Sequence, residues 1–147
     1  MRINPSWFAI PLTAILVALS ALHAYWALGG RWGIAYTIPT TNKGTRAINP
    51  GPLATWIVCG LLALAAAIAA SHAGWLPAIP LTNIGVWGLS AVFALRAIGE
   101  FRLIGFFKSV TGTDFAQYDT LLYSPLCLLL AALAAALAYT TLSTPNP

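Results

Sequence analysis

The sequence predicts an all-α, polytopic membrane protein, a bundle of four transmembrane helices with a short interfacial helix before the fourth span. Of the 147 residues, 59% are hydrophobic and 7% are charged, against roughly 25% charged in soluble domains. Mean hydropathy is +0.81. The stretches 3–30, 47–95 and 120–147 contain no Asp, Glu, Lys or Arg. A surface so poor in charge is typical of a protein solvated by lipid.

The chain is long enough for four membrane spans with short connections, which leaves no room for a second domain. A helix needs about 20 mostly apolar residues to cross roughly 30 Å of hydrocarbon. The sequence therefore predicts one transmembrane domain over residues 1–147. Its spans are expected at about 7–28, 53–71, 81–98 and 125–142.

The first apolar segment is interpreted as a retained span and not as a cleaved signal peptide. Its apolar run is too long for a signal core and ends in the bulky HAYWALGG. Gly29 and Gly30 then end the helix. The loop over residues 31–52 contains the turn-forming strings NKGTR and NPGP.

The second and third spans differ in character. The second contains CGLLALAAAIAA, whose small side chains allow helices to approach closely in lipid. HAGWLPAIP follows as a short turn without formal charge. The third span ends near Arg96 and Glu100, where charge returns to the sequence.

The start of the fourth span has two interpretations. Ser124 and Pro125 can be the cap and first residue of the helix. Alternatively, the helix starts at Asp119 and Pro125 kinks it. We favour an intermediate form, in which Thr113 or Asp114 caps a polar lead-in helix that bends into the membrane at Ser124–Pro125.

The basic residues predict the orientation. With four spans, both termini lie on one side, where Arg2 is the basic residue, and loops 31–52 and 101–124 lie on the other. The second side holds most of the basic residues, which are Arg31, Lys43, Arg46, Arg102 and Lys108, with Arg96 beside them. The positive-inside rule then places both loops in the cytoplasm and both termini outside.

Three span ends that carry polar side chains are expected to meet on this basic side. The resulting candidate site has predicted catalytic residues Glu100, His23 and Asp119, and predicted ligand-binding residues Arg96, Arg102, Trp26 and Tyr123.

Each of these residues has a structural and a functional interpretation. Arg96 and Glu100 are four apart and so share a helix face, where they form a salt bridge or a site in which Arg96 holds an anion and Glu100 moves a proton. His23 belongs to an aromatic belt or acts as an acid or base. Asp119 caps a helix or pairs with Arg96 or Arg102.

Cofactor and nucleic-acid chemistry is not expected. No HExxH, Walker or CxxC string is present, and Cys59 and Cys127 sit in apolar runs. His72, the second histidine, is expected at the opposite membrane face from His23, which disfavours haem. The net charge of +4 is explained by topology signals.

Three segments together resemble a known family. HAYWALGGRWG, RAIGEFRLIGFFK and FAQYDTLLYSPLC are similar to small bacterial four-helix membrane proteins catalogued as domain of unknown function 3995. The resemblance covers nearly the whole chain. It implies a multi-pass protein of the bacterial inner membrane and supplies no activity.

Two functional hypotheses follow. In the first, a polar pocket at the cytoplasmic helix ends binds, or acts by proton transfer on, an amphipathic or lipid-like molecule. In the second, the chain is a structural or accessory subunit whose polar cluster clamps the helices together. Transport is disfavoured because the middles of the spans hold few polar groups. The expected partners are the lipid bilayer, a lipid-like ligand and, as an alternative, further copies of the chain.

Overall fold

The computed structural model describes residues 4–142, with side chains to residue 140. It is helical, with α1 at Ser6–Ala27, α2 at Ile34–Thr37, α3 at Pro52–His72, α4 at Thr82–Ile98, α5 at Asp114–Tyr118 and α6 at Ser124–Leu142. A π-helical turn, Asp119–Tyr123, joins α5 to α6. The described residues contain no strand, and a single antiparallel bridge pairs Thr40 with Arg46. The predicted all-α class is confirmed.

The four longer helices agree with the predicted spans to within about two residues at each described end. Helices α1 and α3, and the continuous helix Asp114–Thr140, are long and apolar enough to cross a membrane. Helix α4 is apolar but has only 17 residues. These features are consistent with a helical membrane bundle. Arg2, the basic residue assigned to the terminal side, lies outside the described residues.

The longer helices pack around one core. α1 lies against α3 and α6, and α4 lies against α3 and α6. Small and branched side chains fill the centre, among them Leu12, Leu16, Ala69, Val86 and Leu137, all fully buried. The alanines permit the close approach that the sequence of the second span predicts.

Hydrogen bonds from serine hydroxyls reinforce two of these helix pairs. The Ser20 hydroxyl in α1 donates to the Cys59 carbonyl in α3 at 2.9 Å. The Ser90 hydroxyl in α4 donates to the Ala131 carbonyl in α6, also at 2.9 Å. In lipid such bonds contribute about 0.6 kcal/mol each. They fix the rotation of neighbouring helices around their axes.

The lead-in helix is present, with a different junction from the one expected. The Thr113 hydroxyl caps α5 by accepting from the Ala116 backbone N–H at 3.1 Å. Helix α5 then continues into α6 through the π-helical turn, one turn before the expected bend at Ser124–Pro125. The Ser124 N–H bonds to the Asp119 carbonyl, five residues back. Pro125 has no N–H to give to the Leu121 carbonyl, which favours a widened turn here.

Candidate functional site

The two polar segments of the chain meet at one end of the bundle. The Tyr123 hydroxyl donates to the Tyr36 carbonyl at 3.2 Å. The rings of Tyr36 and Tyr118 lie 5.0 Å apart. These contacts join the loop after α1 to the helix that precedes α6, so the end of the bundle that holds most of the charges is also a packed unit.

A cavity of about 910 Å³ opens at this end. Four of the residues predicted for the site line it: His23, Trp26, Arg96 and Tyr123. The rest of the lining is mostly aromatic and aliphatic, and it comprises Leu19, Leu22, Trp32, Gly33, Tyr36, Thr37, Pro39, Ile48, Val58, Ile104, Phe115, Tyr118, Leu122 and Leu126. Within the described part of the chain, Arg96 is the one formally charged residue in this lining.

Asp119 lies behind the cavity and not in its wall. Its side chain is completely buried. Oδ1 accepts a hydrogen bond from Nη2 of Arg96 at 2.8 Å, and Oδ2 accepts from the Gly105 N–H at 2.7 Å and from Nζ of Lys108 at 3.1 Å. Such charge-assisted bonds are about twice as strong as neutral ones. Of the alternatives open for Asp119, pairing with Arg96 is the one observed.

Lys108 is the residue of this region that the sequence did not reveal. It was interpreted as a topology charge, yet its side chain is 2% exposed. Nζ donates to Asp119, to the Gly105 carbonyl at 3.0 Å and to the Thr120 hydroxyl at 2.6 Å. Lysine is almost never fully buried unless it is paired. The partner, eleven residues further on, is set by the path of a loop and not by a helical period.

Arg96 connects the buried charges to the cavity. It lies in the last turn of α4, and its side chain is 30% exposed. Nη2 is held by Asp119. Nη1 is buried and has no hydrogen-bond partner among the described residues. The guanidinium is therefore anchored on one side and unsatisfied on the other.

One of the two interpretations of Arg96 and Glu100, a salt bridge on a shared helix face, is wrong, because Arg96 pairs with Asp119. Gly99, with a φ of 87°, ends α4 before Glu100, so a spacing of four residues no longer places both side chains on one face. Glu100 instead accepts hydrogen bonds from the backbone N–H groups of Leu103 and Ile104. Glu100 and Arg102 are exposed and lie outside the cavity lining. Their catalytic and ligand-binding roles stay predictions.

His23 and Trp26 form one wall of the cavity. Nδ1 of His23 lies 2.8 Å from the Leu19 carbonyl, which can only accept, so Nδ1 carries the proton. The two rings contact edge to face with centroids 5.1 Å apart. The Trp26 indole N–H donates to the Trp32 carbonyl at 2.8 Å, which holds the following loop against the helix.

This end of the molecule presents an aromatic cavity, one anchored cation and a buried carboxylate behind it. In the part of the chain that the structure describes, no three His, Cys, Asp or Glu side chains gather where they could hold a metal ion. The fold and the site define an all-helical protein with membrane-span-like helices and a cavity at the polar end of the bundle.

The chain belongs to the family described as protein of unknown function (DUF3995). The family model matches residues 16–134, which is most of the chain and includes every cavity-lining residue. The resemblance drawn from the three sequence segments is thereby confirmed. No curated protein and no solved structure matches the chain.

Proposed function

We propose that this chain is a four-span protein of the bacterial inner membrane whose cavity binds an amphipathic, lipid-like molecule. Large apolar side chains cover the outer faces of the long helices, for example Ile57, Leu61, Ile84 and Val92, each more than half exposed. Soluble monomers rarely expose contiguous apolar surface of this extent. This surface supports burial in lipid.

The observation that carries the binding proposal is the composition of the cavity. Small-molecule sites span about 300–1,000 Å³ and combine apolar walls with a few placed polar groups. The 910 Å³ cavity has aromatic and aliphatic walls, with Arg96 and His23 among its few polar groups. It lies at the helix ends, where we expect the headgroup of a membrane-embedded amphipathic molecule. This arrangement favours a ligand with one polar end and an apolar body.

The orientation follows from charge. Loops 31–52 and 101–124 carry most of the basic residues, so we propose that they face the cytoplasm and that both termini lie outside. The cavity would then open toward the inner leaflet.

Binding is favoured over catalysis by the positions of the three predicted catalytic residues. Asp119 is enclosed by two cations and a backbone N–H. Glu100 bonds to its own loop. His23 alone lines the cavity, and proton transfer by this protein would have to depend on it.

One observation favours the alternative function, a structural subunit with a packing clamp. The Asp119 carboxylate ties α4, the loop after it and the π-helical turn together. This network accounts for the buried Lys108. It does not account for the cavity or for the unpaired Nη1 of Arg96, so we place the clamp beneath the binding site and not instead of it.

A pair of adjacent tryptophan substitutions tests the binding proposal. Val58 lines the cavity, and its neighbour Ile57 is exposed outside it. We expect Val58→Trp to fill the cavity and to lower the fraction of purified protein that retains lipid in native mass spectrometry, while Ile57→Trp leaves that fraction unchanged. Equal lipid retention in both variants and the unchanged protein would refute the cavity as a binding site.

A further inference from the structure

The buried charges behind the cavity do not balance. Asp119, Arg96 and Lys108, called the Asp119 cluster below, contain one carboxylate and two cationic groups. The carboxylate and the ammonium are 0% and 2% exposed. Lys108 and Asp119 balance each other, so the positive charge in excess is that of Arg96, whose side chain is 30% exposed. Burying uncompensated charge is strongly unfavourable, so an anion that joins the Asp119 cluster stabilises it.

The hydrogen bonds show where such an anion would attach. Lys108 uses its three N–H groups on Asp119, Gly105 and Thr120. Both oxygens of Asp119 accept from partners. Among the described residues, Nη1 of Arg96 is the buried donor atom of the Asp119 cluster that has no partner. A buried donor left unpaired carries its full desolvation penalty.

Asp119 also fixes the guanidinium in place. Its Oδ1 accepts from Nη2 at 2.8 Å, which holds the guanidinium in one orientation. Since Arg96 is also the charged residue of the cavity lining, the surplus charge of the Asp119 cluster reaches the cavity through this side chain. Asp119 is thus a positioning residue for Arg96.

From these observations, and resting on the proposed function, we infer that the ligand is an amphiphile whose headgroup carries a single negative charge and binds to the guanidinium of Arg96, whose side chain is 30% exposed. A carboxylate or a phosphodiester headgroup has this chemistry. Its apolar part lies against the leucine and aromatic side chains of the cavity, such as Leu22, Phe115 and Leu126. With a neutral headgroup the Asp119 cluster keeps a net charge of one positive unit, and with a doubly negative headgroup its net charge becomes negative.

A series of ligands with equal chain length tests this inference on the unaltered protein. The protein is reconstituted in phosphatidylcholine nanodiscs and loaded with radiolabelled palmitate at mildly alkaline pH. Unlabelled palmitate, hexadecanol, hexadecyl phosphate and hexadecyltrimethylammonium then compete. We expect hexadecanol to compete at least about tenfold more weakly than palmitate, as the loss of one charged hydrogen bond implies. The cationic amphiphile should not compete.

A phospholipid arm distinguishes the source of the headgroup. Phosphatidylglycerol carries one negative charge on two acyl chains. Displacement of palmitate by phosphatidylglycerol assigns the site to a membrane phospholipid, and failure to displace assigns it to single-chain carboxylates. This arm assigns the source of the headgroup, and the comparison of palmitate with hexadecanol and hexadecyl phosphate decides its charge. Hexadecanol that competes as well as palmitate, or hexadecyl phosphate that competes better, overturns the inferred single negative charge.

Two variants probe the charge itself. Arg96→Gln should abolish the preference for palmitate over hexadecanol, while Lys43→Gln, which removes an exposed cation from the other loop, should keep it. Lys108→Met removes the surplus charge and leaves Arg96 with Asp119, so the preference should fall here too. If Arg96→Gln does not fold, Lys108→Met and the ligand series still decide the question.

Val58→Trp separates failure of this inference from failure of the proposed function. If it blocks palmitate and hexadecanol alike while both bind the unaltered protein equally, the cavity stands and the inferred charge is wrong. If palmitate binds Val58→Trp as it binds the unaltered protein, the cavity is not the binding site and both proposals fall.

Discussion

Asp119 connects more separate parts of this end of the molecule than any other side chain of the Asp119 cluster. It bonds to Arg96 at the end of α4, and to Gly105 and Lys108 in the loop after it. Its own backbone carbonyl closes the π-helical turn. Removing one partner of a buried ionic group is costly because the remaining charge stays buried without compensation.

Asp119→Asn should therefore destabilise the fold by about 3–5 kcal/mol, because Arg96 and Lys108 are then left without a counter-charge. Reversible unfolding in mixed detergent micelles measures this loss. Asp114→Asn is the matched control, since Asp114 is exposed in the first turn of α5 and should change the free energy of unfolding by less than about 1 kcal/mol. Equal losses in the two variants would show that the buried ionic contacts do not stabilise the fold.

At the same scale, one reason explains why some of the residues predicted for the site line the cavity and others do not. His23, Trp26 and Arg96 lie inside helices, where residue number fixes depth and face. Glu100 and Lys108 lie beyond Gly99, where the helical period no longer holds. The pairing of Arg96 with Glu100 was wrong, and the burial of Lys108 was missed, because neither depends on local spacing.

The loop over residues 99–113 is the element on which the Asp119 cluster depends. It folds back on the end of α4, where the Phe106 N–H donates to the Ala97 carbonyl at 2.8 Å. Gly99 and Gly105 have φ angles of 87° and 85° and touch backbone to backbone. This contact leaves no space for a side chain, and it aims the Gly105 N–H at Asp119.

Gly99→Ala should destabilise the protein by about 2 kcal/mol or more, since the positive φ alone costs roughly 1–2 kcal/mol and the new Cβ would overlap the Ile104 carbonyl. Gly112→Ala provides the comparison. Gly112 has no positive φ and no atom near the place of a Cβ. Thermal unfolding of both variants in detergent reports the difference, and a neutral Gly99→Ala would contradict the close contact of the loop with α4.

The π-helical turn is the element that sequence reasoning placed least accurately. The lead-in helix was predicted with Thr113 or Asp114 as its cap, but the irregularity was expected as a bend at Ser124–Pro125. In the structure, the helix accommodates Pro125 because the preceding turn, Asp119–Tyr123, is a wider π-helical turn. On this turn Asp119 is buried among its partners, while Leu121 is 79% exposed. π-Helical turns often occur at functional sites.

On the scale of the whole molecule, apolar side chains cover the outside of the helix bundle, and most charged residues lie at one end of it. Exposed apolar side chains surround a core of small and branched residues, and residues of both charged loops contribute to the lining of the cavity. Helix α4 is the shortest of the long helices. The chain leaves the helical conformation at Gly99, and the polar residues that follow, Glu100 and Arg102, lie on the exposed surface.

Cysteine labelling tests the proposed orientation. In a protein whose Cys59 and Cys127 are replaced by alanine, single cysteines at Lys43 and Ser109 should react with a membrane-impermeant maleimide only from the cytoplasmic side. A cysteine at Ala78, in the exposed turn between α3 and α4, should react only from outside. Labelling of Lys43→Cys and Ser109→Cys from opposite sides would refute the four-span topology.

The sequence by itself determined the helical class, the approximate ends of the four long helices and the gathering of polar residues near one end. These follow from the distribution of apolar and charged residues, which local physics converts into helices and depth. Only the tertiary structure decided which charges pair. The Asp119 cluster joins residues 11 and 23 positions apart in the chain through a folded loop. These ion pairs join residues that are distant in the sequence, so the spacing of residues within one helix cannot predict them.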